Sequence, residues 1–278
     1  MEVMRRSFRE LDYELWKSII DLYVKDPVTH VYLFYDVVYE VNNIDLYLAL
    51  SSGGIIGYLL VWRGYGYYGI HVWGRAHGLV EYMPYKGRAV IHVHSDELAS
   101  LAIDYLKSMG AKVQVKYYLD MVVGEESFKP YSPEKARRLG PGDVEEFIEL
   151  KRIQGVPIDR EVAETMITKR RYYGFFHDSR LVSIACTYVR TSEVRVVGDV
   201  FTHPDYRGRG YGKIVTSAIT RDAVCSGVRA LLHVEESNES AIRLYRRLGY
   251  EVAGRKKWIF ANLGAIISVG SATSLHLV

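Results

Sequence analysis

Apolar positions along the chain fall into two series with the same order of elements. In the first, Leu15, Ile19 and Leu22 recur at the three- and four-residue spacing of one helix face between Leu11 and Val24, and a second helix is expected from Val28 to Val41. Runs rich in β-branched and aromatic residues follow at Ile44 to Leu50, Ile55 to Trp62, Tyr67 to Trp73 and Arg88 to His94, each of strand length. A helix from Glu97 to Met109 and a strand from Lys112 to Val123 complete this series. The second opens with a helix that Asp143 is placed to cap, turning Val144, Phe147 and Ile148 inward, and another helix follows Pro157. Tyr172 to Phe176 and Leu181 to Arg190 read as strands joined at His177-Asp178-Ser179, with Val194 to Thr202 as the next strand. A helix with Val215, Ala218, Ile219 and Ala223 on one stripe breaks at Ser226-Gly227. A short strand from Arg229 to Val234 and a helix carrying Ala241, Leu244, Tyr245 and Leu248 then follow.

The two series meet at the proline-punctuated stretch Ser127 to Pro133, which predicts domains at 1–128 and 129–278. Arg88-Ala89-Val90-Ile91-His92-Val93 matches Arg229-Ala230-Leu231-Leu232-His233-Val234 at an offset of 141, about half the chain. Tyr105-Leu106-Lys107-Ser108-Met109-Gly110 resembles Tyr245-Arg246-Arg247-Leu248-Gly249 with small insertions. A tandem duplication accounts for both matches.

One loop in the second copy has no counterpart in the first. Arg207-Gly208-Arg209-Gly210-Tyr211-Gly212 follows a strand and opens a helix, where glycines let the backbone approach an anion and unpaired N–H groups face it. It fits neither a dinucleotide fingerprint, since the glycines alternate, nor a P-loop, since Lys213 precedes Ile214. In the first copy the corresponding stretch, Gly74 to Lys86, has no such motif, and Arg63 to Gly69 reads as a glycine-rich hairpin because no helix follows it.

The arrangement resembles the GNAT superfamily of N-acetyltransferases, over residues 140 to 261. Arg207, Gly210 and Gly212 fill the family's Q/R-x-x-G-x-G/A pyrophosphate loop. Asn238, Ala241, Leu244, Tyr245, Gly249 and Tyr250 fill its N-x-x-A-x-x-L-Y-x-x-x-G-F/Y helix. The resemblance implies an α/β (α+β) fold of tandem GNAT-like domains, each a mixed, mostly antiparallel sheet flanked by helices, the first copy degenerate and the second catalytic.

It also implies acetyl-CoA, or another short acyl-CoA, as co-substrate and direct transfer of the acyl group to a primary amine. That amine belongs to a small molecule or to a protein N-terminus or lysine. Gly208, Arg209, Gly210, Tyr211, Gly212 and Lys213, with Arg207, would hold the pyrophosphate. The main chain of Val200, Phe201 and Thr202 would pair with the pantetheine arm and polarise the thioester carbonyl. Tyr245 is implied as the acid that protonates the sulfur, against a plain role in core packing. Asn238 is a helix cap, a cofactor contact or both. His233, near the end of its strand, stands where some relatives place a glutamate base, and is either that base or a core histidine. Asp199 and Glu235 are substitutes. An acyl-CoA-binding regulatory module without turnover and an aminoacyl transferase on the tandem fold are the competing readings.

Composition narrows the setting. At 278 residues, 49% hydrophobic and 25% charged, the chain suits two globular domains. A net charge of +3 is too small to imply nucleic acid. The clusters Lys169-Arg170-Arg171 and Arg255-Lys256-Lys257 read as solvated faces, although one is a candidate for a CoA phosphate. With only Cys186 and Cys225, and no leading apolar run, a cytoplasmic protein is expected. His92-x-His94 lacks companions at ligand spacing, so no metal is expected. The apolar tail from Leu263 is interrupted by glycine and serine and is too short for a membrane span, which predicts an extra strand or packed extension.

Overall fold

A computed structural model describes residues 2–6 (backbone only), 11–64, 66–84 and 86–264. The chain divides into two compact units, one comprising residues 1–118 with 255–264, the other residues 119–254. The boundary between these units differs from the division expected at 128/129, because residues 119–128 belong to the second unit and residues from 255 on to the first.

In the first unit, α1 (Tyr13–Lys25), α2 (Pro27–Tyr39) and α3 (Asp96–Ser108) begin at Asp12, Asp26 and Ser95, whose side chains accept the N–H of Leu15, Thr29 and Leu98. The strands are β1 (Glu2–Arg6), β2 (Ile44–Ser51), β3 (Gly54–Arg63), β4 (Tyr68–Gly74), β5 (Gly87–Val93), β6 (Lys112–Val123) and β12 (Glu251–Leu263), the last pairing with β5 from Lys257 onward. The sheet runs β1-β2-β3-β4-β5-β12, antiparallel except for the parallel pair β4–β5. Alternation along β2 sends Leu46 and Leu48 to a core under α1 and α2, and Tyr47 and Ala49 to a core under α3. Among the described residues between β4 and β5, the only helix is a six-residue 3₁₀ turn, His77–Tyr82, without a side-chain cap. Gly64 N–H donates to the Tyr67 carbonyl and closes the β3–β4 hairpin expected there.

The second unit contains β7 (Arg137–Arg138), α4 (Val144–Ile153), α5 (Arg160–Lys169), β8 (Arg171–His177), β9 (Arg180–Arg190), β10 (Val194–Thr202), α6 (Tyr211–Val224), β11 (Arg229–Glu235) and α7 (Glu239–Arg247). Its strands run β11-β10-β9-β8-β7, with β6 next to β11; β10–β11 is parallel, and β7–β8, β8–β9 and β9–β10 are antiparallel. One face packs Ala230, Leu232 and Val234 against α6 and α7, and the other packs Tyr172, Ile184 and Cys186 against α4 and α5. Both units therefore have the expected class, a mixed and mostly antiparallel sheet with helices on both faces.

Three local expectations are corrected. Asp143 precedes α4 but does not cap it, because its carboxylate is taken by the Arg137 guanidinium and the Gly140 N–H. The helix after Pro157 begins only at Arg160, with Asp159 as its cap. Strand β12 runs through the basic cluster Arg255-Lys256-Lys257, where Lys257 pairs with Asp96 and the Arg255 guanidinium lies 3.7 Å from the Tyr117 ring centroid. Of the apolar tail, Leu263 ends β12 as a buried residue, and everything from residue 265 lies outside the described residues. Among the described residues no helix is long and apolar enough to cross a membrane.

Candidate active site

Strand β10 leads through a short 3₁₀ turn, Pro204–Tyr206, into the glycine loop. Gly208 and Gly210 take φ of +76° and +85°, left-handed values that side chains resist. Gly210 is the N-cap of α6, and no side chain caps this helix, in contrast to α1, α2, α3, α5 and α7. A Cβ at Gly208 would meet nothing within 4 Å, and one at Gly212 would come within 3.1 Å of Thr202 Oγ1. The loop thus presents first-turn N–H groups without a competing side chain, and packs the helix start tightly on the end of β10. Arg207 and Arg209 are exposed, with Arg207 Nε donating to the Thr202 carbonyl, while Lys213 Nζ stands 3.3 Å over the Tyr131 ring.

Beside this loop the central strands part. The parallel register of β10 with β11 runs from Val194↔Arg229 to Val197↔Leu232 and stops, although both strands continue. Against β9, Gly198 faces Cys186 and Phe201 faces Ile184, so β10 spends three residues where β9 spends two. The bulge centres on Asp199, a non-glycine residue with φ of +52°. Val200, Phe201 and Thr202 follow it, half-buried, past the end of the β11 pairing.

The catalytic candidates are carried by β11 and α7. Tyr245 is buried in the α6–α7 core, and burial holds its phenol well above the ordinary tyrosine range, so it stays protonated. Its ring tilts against Tyr250, whose own hydroxyl is engaged by Thr220 Oγ1 at 2.7 Å; that of Tyr245 has no hydrogen-bond partner among the described residues. His233 is the first β11 residue beyond the last β10 pair, and its Nδ1 lies 2.6 Å from Asp120 Oδ1 on β6. Asn238 caps α7, its side chain accepting the Ala241 N–H.

The two substitute bases fare differently. Asp199 accepts hydrogen bonds from Lys151 Nζ, Gln154 Nε2 and Tyr172 Oη, which leaves its carboxylate saturated and removes it as a proton acceptor. Glu235 accepts from Ser237 Oγ. Cys186 is fully buried, which pushes its thiol up to about 12 and leaves no thiolate for nucleophilic work. His92, of the His92-x-His94 pair, is stacked 3.8 Å from the Trp258 ring and lies 4.3 Å from that of His71.

Sequence reasoning missed Asp120, Lys151, Gln154 and Tyr172. A faint signal existed for the first two, a lone carboxylate inside Tyr118-Leu119-Asp120-Met121-Val122-Val123 and a lysine on the inward face of an amphipathic helix.

Residues 172–259 match the family model described as FR47-like protein. A curated acetyltransferase of Yersinia pestis (strain Pestoides F) is 38% identical over 50 residues, 18% of this chain and 36% of that protein, so the match spans about a third of the relative's length. A Drosophila protein of known X-ray structure superposes with a TM-score of 0.69 at 15% identity, covering 93% of this chain and 97% of its own. A tandem GNAT protein from the clavulanic acid biosynthesis pathway superposes with a TM-score of 0.58 at 15% identity, covering 94% and 97%. Both structural likenesses are of fold. Residues 172–259 thus match an FR47-like domain, within a fold shared with a tandem GNAT protein.

Proposed function

We propose that the second unit transfers an acetyl or other short acyl group from acyl-CoA directly to a primary amine, and that the first unit does not bind CoA. The observation that carries this reading is a coincidence in space. The uncapped glycine loop at the start of α6 packs Gly212 on Thr202, the end of the stretch of β10 that no longer pairs with β11, so an anion cradle lies beside a gap in the sheet. A diphosphate fits the loop because its two left-handed glycines leave the N–H groups unobstructed. Among its described residues the first unit has neither feature, with a 3₁₀ turn in place of α6 and strands that remain paired.

Gly208 to Lys213 would hold the diphosphate by main-chain donors, with Arg207 and Arg209 adding charge at the rim. The thioester supplies an activated carbonyl and a thiol leaving group. Val200 to Thr202, freed from β11, would offer main-chain N–H groups to the developing oxyanion, worth a few kcal/mol when preorganised. His233 would take a proton from the amine, directly or through water. Its Nδ1–H donates to the Asp120 carboxylate, which leaves Nε2 as the basic nitrogen. Tyr245 would donate to the sulfur as negative charge grows there. Its raised pKa makes a free tyrosinate costly, so the proton crosses only as the carbon–sulfur bond breaks.

Release of free thiol from acetyl-CoA in the presence of pooled small amines and peptides with free N-termini or lysines tests the reading. Amine-dependent release supports it, and the active pool fixes the acceptor class. Tight CoA binding with no release from any pool would instead make the protein a regulatory acyl-CoA binder, and no CoA binding would revive an aminoacyl donor.

A further inference from the structure

We infer that the gap between β10 and β11 is held open by a buried polar clamp, in which Lys151, Gln154 and Tyr172 fix Asp199 in a left-handed conformation; this rests on the reading of the gap as the acyl-CoA slot. Lys151 Nζ lies 3.0 and 2.9 Å from the two Asp199 carboxylate oxygens, Gln154 Nε2 lies 2.8 Å from Oδ1, and Tyr172 Oη lies 2.7 Å from Oδ2. Lys151 Nζ also donates to Gln154 Oε1 at 2.7 Å. The side chains of Lys151 and Asp199 are 3% and 11% exposed.

A non-glycine residue at φ +52° is strained and persists only when its surroundings over-determine it. Here they do: three donors make four contacts with the two oxygens of one carboxylate and fix its position. The donors come from α4 and β8, elements outside the two strands that part, so the bulge is imposed from the side of the sheet opposite α6.

The first unit serves as an internal control. Its β4 keeps an unbroken register with β3 from Gly57↔Gly74 to Arg63↔Tyr68 and has no positive-φ residue before its terminal Gly74. Its pairing with β5 continues through His71↔His92 to Val72↔Val93. At the offset of 141, Leu232, the last paired residue of β11, corresponds to Ile91, so β4 and β5 zip two residues beyond the point where β10 and β11 part. Where the bulge and clamp are missing, the gap is missing.

These are positioning residues, and the test separates backbone conformation from side-chain chemistry. Two double variants, Lys151→Met/Asp199→Gly and Lys151→Met/Asp199→Ala, both delete the clamp and differ only in tolerance for positive φ. Calorimetry with CoA should give a Kd within about threefold of wild type for the glycine variant and about tenfold weaker for the alanine variant. Hydrogen exchange should show slower amide exchange at residues 198–202 and 233–235 in the alanine variant alone, as the strands zip together. Equal CoA affinities for two folded doubles, or unchanged exchange, would overturn the inference. If wild type binds no CoA, the slot reading fails, while the exchange comparison still decides the clamp. Should the doubles not fold, Tyr172→Phe removes one donor: slower exchange at 198–202 supports the clamp, and unchanged exchange overturns it.

Discussion

Asp120 Oδ1 lies 2.6 Å from His233 Nδ1, and the two side chains are 1% and 3% exposed, on the neighbouring strands β6 and β11. A carboxylate accepts only, so this contact turns Nδ1–H toward Asp120 and fixes the tautomer of the ring. His233→Gln should lower kcat/KM by about 10²-fold. Asp120→Asn should cost less, because the ring stays in place and loses only the acceptor that fixes its tautomer. Activity unmoved by either substitution would return His233 to the core.

Tyr245→Phe deletes one hydroxyl without disturbing the α6–α7 packing, since the hydroxyl has no partner among the described residues. Turnover at saturating substrates is expected to fall by about 10²-fold or more with the Kd for CoA unchanged. Tyr250→Phe is the control. It breaks the buried bond to Thr220 and should cost about 1 kcal/mol of stability, leaving turnover of the folded enzyme near wild type.

Gly210→Val should eliminate CoA binding. The position combines φ of +85° with a Tyr131 hydroxyl 3.5 Å from where a Cβ would stand, so a branched side chain both strains the loop and fills its mouth. Isothermal titration with CoA reads this directly, and wild-type affinity in the folded variant would place the diphosphate elsewhere.

His30 gives the first unit a pH dependence of its own. It is buried, with Nδ1 3.1 Å from the Tyr58 hydroxyl and its ring edge-on to Trp73, and burial pulls its pKa down to about 4. Nearby Asp26 opposes that shift and Lys256 adds to it. The unfolded chain therefore binds a proton near pH 6.5 that the folded chain refuses. Stability from this group is full above that value and is lost as pH falls toward 4, at up to about 1.4 kcal/mol per pH unit. Denaturant titrations from pH 7 to 4.5 should show this slope in wild type and a flatter one in His30→Phe. Parallel slopes would mean the ring is protonated in place.

The hydrophobic record made most elements legible because their faces are one-sided. Leu15 and Ile19 on α1, and Val215, Ala218 and Ile219 on α6, are buried as their spacing requires. The glycine loop was legible because left-handed backbone at a helix start leaves a compositional trace. Strand β12 was not, since its first half is exposed and basic and its apolar residues cluster only from Trp258 on. Asp143 misled because two groups competed for its carboxylate, and an arginine six residues earlier gave it more than a helix N–H does. The clamp on Asp199 was invisible for a related reason. Lys151 shows only as a lysine on an inward helix face and Gln154 as a polar residue near that helix's end, and only the fold brings them against a strand 48 and 45 residues away.

The assignment of residues 255–263 to the first unit has a bearing on biosynthesis. As the nascent chain leaves the ribosome, β5 waits for its antiparallel neighbour until residues 257–263 have emerged, with one hydrogen-bonding edge bare in the meantime. A cut at residue 128 would part β5 from the strand that covers it, so a first half made on its own would carry that uncovered edge.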